Sequence, residues 1–528
     1  MATVVTEPGG AGRPGGRGGA VESKGLKAGA LGLASATVVG VASTAPAYSL
    51  AASLGLVTAA VAFKAPAIMW ISFIPMACIA AAFFYLNRAD PDCGTNFAWV
   101  TRSMGPRTGW LGGWSSMMAD LIIMPSLAFI AAQYVYLLFG LHGLADNDWA
   151  ILALGVGFIM GMTWICVVGI ELSARTQMVL LLTELAVLVL FAVVALVKVY
   201  AGEISGAVEP SLSWLTPTHF GGVSALSDGL LAAVFIYWGW DTATSVNEEC
   251  EDANRVPGVA GILSTIILVG IYVTVTFAAQ AVKGAGYLTN HDTDVLSATG
   301  HVVFGDSGFG SVALKLLIVA VLTSSAASCQ TTILPAARTA LSMAMHRAFP
   351  PKLGEVSPRY LTPAFATWLF GIFSSLWFGG LVVLSHVSGG DVLTWSVDGV
   401  GLMIAYYYGQ TGIACVVYFR RYLFKSVKNF FLVGLLPLIG GLSLAFIFAW
   451  SVKDMTDPAF EDPPTSWLGV SPVLWLGLGT LLAGIPLMFW WNRHDGAYFR
   501  VRPDPIDRRP PPEGGEPLPP LVAQGAPR

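Results

Sequence analysis

Three acidic residues, Asp120, Glu184 and Asp241, lie inside long apolar stretches of this 528-residue chain. A charged side chain is costly inside a lipid bilayer, so an intramembrane acid indicates an ion, proton or ligand site. Glu184 is the clearest case, because it stands near the middle of the stretch VLLLTELAVLVL (179–190). Burial in a low dielectric disfavours the charged carboxylate, so this group is expected to exchange a proton near neutral pH. The alternative is a protonated Glu184 that is hydrogen-bonded to a neighbouring helix.

The acid Asp241 belongs to an unusual segment, FIYWGWDTATSVNEE, which runs from Phe235 to Glu249. It begins as an apolar, aromatic helix and then places Gly239 between two tryptophans, shortly before the acid. Glycine weakens a helix interior, so we expect the helix to break near Gly239. Backbone groups that a break frees are tolerated at membrane depth only where they line a cavity or bind a polar group.

A second segment of this kind lies near the N-terminus. The stretch VVGVASTAPAYS (38–49) places Gly40, Pro46 and a run of small residues in the middle of an apolar span. It falls in the first predicted span, and the Gly239 segment falls in the sixth. That placement is typical of two inverted repeats, spans 1–5 and 6–10, each of which opens with a discontinuous helix. The alternative is an ordinary proline kink and a glycine packing contact.

The composition is that of an all-α integral membrane protein. Hydrophobic residues make up 55% of the chain and charged residues only 11%, whereas soluble domains carry roughly 25% charged residues. The formal net charge of −4 gives no reason to expect a nucleic-acid partner. The six cysteines are scattered without a CxxC pair, which argues against a disulfide framework or a zinc site and favours buried thiols.

A spanning helix needs about 20 mostly apolar residues, and with that window we predict twelve spans. They cover residues 28–60, 66–87, 109–140, 149–170, 176–199, 225–247, 257–282, 310–335, 361–386, 392–419, 430–452 and 467–491. Most of the 28 Lys and Arg residues then fall on the side of the two termini, and the opposite loops hold only Lys64, Lys198, Lys283 and Lys453. This bias predicts a multi-pass plasma-membrane protein with both termini in the cytoplasm.

The two ends of the chain differ in composition from the apolar region between them. Residues 1–24 are rich in Gly, Pro and Arg, and residues 496–528 are rich in Pro. We therefore predict two disordered cytoplasmic tails that flank one twelve-span domain over residues 25–495.

Three segments carry a family resemblance that covers about residues 25–425. They are YWGWDTATSVNEECEDANRVPG (237–258), FFYLNRADPDCGTNFAWVTRSMGPRTGWLGGW (83–114) and LPAARTALSMAMHRAFPPKLGEVSPRYLTP (334–363). Together they resemble the amino-acid permease branch of the amino acid–polyamine–organocation superfamily of transporters. The sequence departs from the family's Gly-Gly-x-Tyr at Gly94–Phe97, and the Gly-rich signature of the first span is not intact around Gly40.

The resemblance implies a secondary transporter, not an enzyme, that moves an amino acid by alternating access. A half-helix N-terminus suits a substrate carboxylate, and exposed carbonyls suit an ammonium group. By resemblance, five consecutive backbone amides would bind the carboxylate: Val39, Gly40, Val41, Ala42 and Ser43. Carbonyls near Phe235 and Trp238 would take the ammonium group, and the Phe235 ring would close over the substrate.

Neighbouring residues of the sixth span also bear on this site. The rings of Tyr237 and Trp240 serve either substrate binding or aromatic packing, and Trp238 and Gly239 mark the break itself. For Asp241 we expect capping of the second half-helix in preference to direct substrate contact, because freed amides stabilise an acid at a helix N-terminus.

Two coupling ions are compatible with the sequence, and no other cofactor is expected. Proton coupling through Glu184 is the leading hypothesis, since many proton-coupled members of the family carry a Lys in this region of span 5. Sodium coupling is the alternative, because Ala320, Thr323 and Ser324 resemble a sodium-site segment of the related neurotransmitter–sodium symporters. Ser and Thr clusters also serve helix packing in membranes.

Two other functions would each require particular residues in the sequence. A polyamine or organic-cation permease would use acids such as Asp120, Glu184 and Asp241 for a second ammonium group, although the family predicts no role for Asp120. An integral-membrane enzyme would need catalytic or metal-ligating clusters, and the seven histidines show no metal-ligand spacing. The expected partners are a small-molecule substrate and the lipid bilayer, and the oligomeric state is left open.

Overall fold

The structure is a computed structural model, and it describes residues 24–500 except 292–293, 306–307, 458–459 and 461–465. The predicted tails, 1–24 and 496–528, therefore lie almost wholly outside the described residues. Their described ends are packed: Lys24 pairs with two acids, and Tyr498 is buried and donates to the Pro106 carbonyl at 2.9 Å.

The described part of the chain is helical, and the predicted all-α membrane fold is confirmed. Short helical turns occupy several connections, and π-helical turns at Phe430–Leu435 and Trp475–Gly479 precede the last two helices. Numbered in chain order, the helices used below are α1 (Leu33–Ser43), α2 (Pro46–Val61), α3 (Ala65–Ala89), α4 (Asn96–Met104), α5 (Pro106–Leu138), α6 (Asp148–Val168), α7 (Ile170–Tyr200), α8 (Val223–Tyr237), α9 (Thr242–Ser245), α10 (Val256–Lys283), α11 (Val295–Phe304), α12 (Gly308–Met345), α13 (Ala364–Ser388), α14 (Val392–Tyr418), α15 (Leu436–Asp454) and α16 (Thr480–His494).

Ten stretches of the described chain are long and apolar enough to cross a membrane. One of them, Leu33–Ala89, contains α1, α2 and α3 and so covers two of the predicted spans. The predicted sixth span is divided between α8 and the short α9, and α8 has only 15 residues. The exact count of twelve spans remains a prediction.

The first predicted break is present, but its position differs from the prediction. Helix α1 continues past Gly40 to Ser43, and the chain changes direction at Thr44 and Ala45, where Ala45 adopts φ 46°. Pro46 explains this position, because its ring clashes with the carbonyl four residues earlier and disfavours a helical conformation at the preceding residue. The placement of the break around Gly40 was therefore wrong by about four residues.

Gly40 has a different role, which is close packing. A Cβ atom at this position would lie 2.6 Å from Ser264 Oγ on α10 and 3.1 Å from the Trp240 carbonyl oxygen. The glycine thus lets α1 approach both α10 and the chain that follows α8. This is the packing alternative that the sequence had left open.

The second predicted break lies at Gly239, as expected. Helix α8 ends at Tyr237, Trp238 is extended with ψ 146°, and Gly239 has φ +115°. A Cβ atom on Gly239 would lie 2.6 Å from the Ser43 carbonyl oxygen, so the two breaks are in direct contact. A hydrogen bond of 2.8 Å between the hydroxyls of Ser43 and Thr242 also joins them.

Helix α7 shows how the chain divides its surface between lipid and protein. Glu184 and Leu188 are buried on one face of this helix. The opposite face exposes large apolar side chains, namely Val179, Leu182, Val193 and Val197. Exposed aliphatic side chains of this kind suit a lipid environment, whereas the acid is placed inside the protein.

An N-terminal strap, defined here as residues 24–32, packs against the chain that follows α9. The amides of Ala30 and Leu31 donate to the Glu249 carbonyl at 2.8 and 3.0 Å, and the Glu251 amide donates to the Leu31 carbonyl at 2.9 Å. Glu249 in turn forms a buried bidentate ion pair with Arg338 of α12, with both N–O distances 2.7 Å. The strap is therefore tied to the chain after α9, and Glu249 ties that chain to α12.

Lys24 anchors the start of the strap. Its Nζ lies 2.8 Å from Asp92 Oδ1 and 2.7 Å from Glu248 Oε1, outside the apolar stretches. Burial opposes the charge on Asp92, but Lys24 and His346 outweigh burial and hold the pKa of Asp92 below its usual value. Burial likewise opposes the charge on Lys24, and Asp92 and Glu248 nevertheless raise its pKa. Both groups therefore keep their charges near neutral pH.

We predict that Lys24→Met costs about 2 kcal/mol of stability, because two buried charge-assisted hydrogen bonds are lost and two acids lose their cation. The measurement is the thermal unfolding midpoint of the purified protein in detergent. Because folding lowers the pKa of Asp92, its charge stabilises the fold at pH values above the unfolded pKa of about 3.9. Because folding raises the pKa of Lys24, its charge stabilises the fold at pH values below the unfolded pKa of about 10.4. The difference in unfolding midpoint between Lys24→Met and the wild-type protein should therefore be constant between about pH 7.5 and 9.

The exposed Arg107, at the start of α5, offers the matched control. Arg107→Met removes a positive charge on the same side of the molecule and is expected to change the midpoint little, since exposed charges contribute little. Equal midpoint shifts for the two variants would contradict a specific role for Lys24.

Candidate functional site

A narrow, closed cavity lies where the two helix breaks meet, and in this conformation it leaves no room for a water molecule. The breaks themselves, α5, α12 and α14 contribute its walls. Its lining residues are Ser43, Ser116, Asp120, Trp238, Gly239, Asp241, Thr242, Thr332, Pro335 and Tyr407. The cavity is therefore polar and acidic, although it is surrounded by apolar helices.

Asp241 lies in this cavity, where it is held by α14. Its carboxylate accepts hydrogen bonds from the hydroxyls of Tyr407, at 3.1 Å, and Tyr408, at 2.8 Å. The predicted capping role was wrong, because the Asp241 side chain makes no cap hydrogen bond to α9. The reason is its backbone: a capping residue typically has extended φ and ψ, whereas Asp241 is helical at φ −69° and ψ −14°.

Asp120 projects from α5 into the same cavity. It is 3% exposed, and its Oδ2 atom has no hydrogen-bond partner within the part of the chain that the structure describes. Only the tertiary structure places this acid beside Asp241, since the two are far apart in the sequence. From the sequence, a role for Asp120 was predicted only under the polyamine alternative.

Of the predicted aromatic residues, only Trp238 lines the cavity, where its indole N–H donates to the Tyr407 hydroxyl. Phe235 is buried edge-on against Tyr48, with ring centroids 6.4 Å apart, and is not among the lining residues. Tyr237 packs elsewhere, because its hydroxyl donates to the Met69 carbonyl at 2.9 Å on α3. The structure therefore brings Trp238, Gly239 and Asp241 together and leaves Phe235 and Tyr237 in the surrounding packing.

The predicted run of substrate-binding amides, Val39 to Ser43, lies inside helix α1. The hydroxyl of Ser43 faces Thr242, and Ser43 lines the cavity. The break starts only at Thr44, whose amide donates to the Val41 carbonyl at 3.1 Å. The role of these five amides in binding remains a prediction.

The amides at the start of α2 have side-chain partners. The Ala47 amide donates to Glu184 Oε1 at 2.7 Å, and the Tyr48 amide donates to Ser324 Oγ at 3.2 Å. Pro46 has no N–H to offer. Side chains of α7 and α12 thus accept the hydrogen bonds of the first free amides of this half-helix.

Glu184 and Ser324 form a single polar site with the start of α2. Ser324 Oγ donates to Glu184 Oε1 at 2.8 Å, and the same oxygen accepts from the Ala47 amide. The carboxylate also stands at the positive end of the α2 dipole, which favours a negative charge there. Three helices, α2, α7 and α12, are therefore joined through one carboxylate oxygen.

The predicted sodium ligands fall at this same site. Ser324 is the partner of Glu184, and Ala320 is buried one turn earlier on α12. The hydroxyl of Thr323 donates to the Val319 carbonyl of its own helix at 2.8 Å. The proton and sodium hypotheses thus concern one location, which sequence spacing could not show because Glu184 and Ser324 are 140 residues apart.

Transporters built from inverted repeats typically place a polar site between two discontinuous helices, and this helical membrane protein has a polar cavity between two helix breaks that touch. The model of the family "Amino acid permease" matches residues 31–481. The match covers most of the chain, so the protein belongs to this family of transporters and is not an enzyme.

Characterised relatives are similar at a distance. A branched-chain amino acid permease of Bacillus subtilis (strain 168) is 24% identical over 339 residues, which is 60% of this chain and 68% of the relative. A methylthioribose transporter of the same organism is 25% identical over 80% of this chain and 87% of its own length. A low-affinity putrescine importer of Escherichia coli (strain K12) is 22% identical over 75% and 83%, respectively.

Among solved structures, that of MhsT in complex with L-phenylalanine matches with a TM-score of 0.57. The match covers 79% of this chain and 98% of the MhsT chain, at 16% sequence identity. This likeness confirms the fold and carries no statement about the substrate.

Proposed function

We propose that the protein is a secondary active transporter that moves an amino acid or a related small amine across the plasma membrane by alternating access, with transport coupled to protons. From the excess of Lys and Arg on one side we infer that both termini are cytoplasmic. The substrate binds in the cavity between the two breaks, with its amine at Asp241. The names of the relatives support both amino acids and amines as substrates.

The single observation that carries proton coupling is the contact of Glu184 with the start of α2. As a carboxylate, Glu184 accepts hydrogen bonds from the Ala47 amide and the Ser324 hydroxyl, and these bonds hold α2 against α7 and α12. A proton on the carboxyl group removes its charge and weakens both bonds, because charge-assisted hydrogen bonds are roughly twice as strong as neutral ones. Helix α2 is then released to move beside the occupied cavity.

The alternative ion, Na⁺, is less well supported by the same contacts. A sodium site at this position would use the hydroxyl oxygens of Thr323 and Ser324, and the Ser324 oxygen already accepts a hydrogen bond from the Tyr48 amide at 3.2 Å. The Glu184 carboxylate, in contrast, can bind a proton at this position without any further ligand.

The test is uptake by proteoliposomes of single labelled amino acids and amines under a fixed pH gradient, with Na⁺ replaced by choline. Uptake should continue in choline and should stop when the pH gradient is dissipated. Thr323→Ala should retain uptake, because that hydroxyl bonds only within its own helix. Uptake that is lost on replacing Na⁺, or in Thr323→Ala alone, would contradict proton coupling.

A further inference from the structure

A second cavity lies where the N-terminal strap meets the turn between α6 and α7. Three segments line it: Lys27 belongs to the strap, residues 168–170 form the turn, and residues 359–361 belong to the chain that precedes α13. Its volume of about 250 Å³ is many times what one water molecule needs. This cavity, unlike the one between the two breaks, therefore has room for a ligand group.

The walls of this cavity are held by contacts within the protein. The Thr362 hydroxyl donates to the Val167 carbonyl at 2.8 Å, which ties the segment before α13 to the end of α6. In the strap, the buried Leu26 belongs to a small apolar cluster against which Val356 packs. The cavity is thus formed before any ligand binds, as is usual for ligand sites.

The side chains that line the cavity make it positive. Lys27 and Arg359 are exposed cations from two different segments, and the described lining residues include no Asp or Glu. The guanidinium carbon of Arg359 lies 5.1 Å from the centroid of the Tyr360 ring, which favours a cation at this position. Lys352 adds a cation at the start of α13, where its Nζ lies 4.4 Å from the centroid of the Phe365 ring. The site therefore favours an anion.

The backbone of the turn adds to this preference. The lining residue Ile170 is the first residue of α7, a 31-residue helix whose dipole is positive at this end. Gly169, the residue before it, has no side chain that could cap the first amides of the helix. Glu171 follows, and its side chain lies outside those that the structure describes. Basic side chains beside a helix start are well suited to a phosphate group.

Exposed apolar side chains adjoin the cavity. It lies at the end of Asp148–Val168, one of the stretches that are long and apolar enough to cross a membrane. One turn before Val168, the Trp164 side chain is 56% exposed, and Leu361 and Phe365 are exposed as well. Tryptophan is enriched at the membrane–water interface, so this part of the surface lies at the level of the lipid headgroups. A place for acyl chains thus adjoins a place for an anionic headgroup.

From this arrangement we propose that the cavity binds the phosphate group of an anionic phospholipid, with Lys27 and Arg359 at the headgroup and the acyl chains along Trp164 and Phe365. The cavity lies on the inferred cytoplasmic side, and the cytoplasmic leaflet carries anionic lipids. The bound lipid would hold the strap to the start of α7, the helix that carries Glu184. A free phosphate ion shares the headgroup chemistry but has no acyl chains, so it forms a separate arm of the test.

The experiment is a thermal-unfolding titration of the purified full-length protein in a neutral detergent, because a ligand that binds only the folded state raises the unfolding midpoint. Three probes are compared at matched ionic strength: dioleoylphosphatidylglycerol, dioleoylphosphatidylcholine and inorganic phosphate. We expect phosphatidylglycerol to give the largest shift, since the choline group cancels the phosphate charge in the second lipid. Equal shifts with the two lipids, or an equal shift with inorganic phosphate, would overturn the assignment to an anionic lipid.

The double variant Lys27→Gln, Arg359→Gln removes both cations of the cavity. We expect at least about a tenfold weaker apparent affinity for phosphatidylglycerol, because each basic side chain near an anionic headgroup contributes to binding. The matched control is Arg107→Gln, Lys428→Gln, which removes two exposed cations elsewhere on the same predicted side and should bind like wild type. Equal losses in the two double variants would show a general effect of surface charge and would overturn the site.

Val168→Phe tests the cavity itself, because it leaves both cations in place and fills part of the volume. Val168 is half-buried at the wall, and the larger ring should weaken the binding of phosphatidylglycerol. Native mass spectrometry of the same samples counts the bound lipids, and we expect one fewer phosphatidylglycerol per protein than in the wild type. Wild-type binding by Val168→Phe would place the lipid outside the cavity and would overturn the proposal.

Discussion

Glu184→Gln should reduce pH-gradient-driven uptake by at least about tenfold and remove its pH dependence. Gln keeps the shape of the side chain but has no charge and no titratable proton, so the bonds to Ala47 and Ser324 no longer change with protonation. One charge-assisted hydrogen bond contributes about 1.5–3 kcal/mol, and 1.4 kcal/mol corresponds to a tenfold change in an equilibrium. The measurement is initial uptake by proteoliposomes as a function of pH on each side.

The matched control for this variant is Thr183→Val, one residue away on the exposed face of α7. The Thr183 hydroxyl donates only to the Val179 carbonyl of its own helix, so the variant should transport like wild type. Ser324→Ala removes one of the two partners and should produce an intermediate loss. A Glu184→Gln protein that concentrates substrate with an unchanged pH profile would rule out Glu184 as the coupling residue.

Gly239→Ala is expected to abolish transport and to lower the yield of folded protein. The added Cβ would lie 2.6 Å from the Ser43 carbonyl oxygen and 2.7 Å from its carbon. These are backbone atoms of the other helix break, so they cannot move aside as a flexible side chain can. Alanine is also strained at φ +115°, by about 1–3 kcal/mol.

The control for Gly239 is Gly270, in the middle of α10, where an added Cβ would meet no atom within 4 Å. Gly270→Ala should stabilise the helix by about 0.5–1 kcal/mol, because alanine loses less entropy than glycine there. Both variants are compared by size-exclusion profile, unfolding midpoint and uptake. Wild-type values for Gly239→Ala in all three would show that the two breaks do not need their close contact.

Several features of the site followed from the sequence because they depend on local chemistry. Gly239 and Pro46 weaken a helix through their local chemistry, so two breaks were predictable, and of the two candidates in the first span it is Pro46, not Gly40, that adjoins the break. The burial of Glu184 was predictable from its apolar neighbours. The capping role of Asp241 failed because it depended on a backbone conformation that residue type alone does not determine.

The sequence by itself thus determined the membrane class, the all-helical fold and the two discontinuous helices, since hydropathy, glycine and proline act over a few neighbouring residues. The tertiary structure alone decided which side chains meet. It placed Ser324 and the start of α2 at Glu184, brought Asp120 and Asp241 into one cavity, and set Lys24 between two acids. These partners lie far apart along the chain, and their contacts arise only from the packing of helices, which no local pattern of residues encodes.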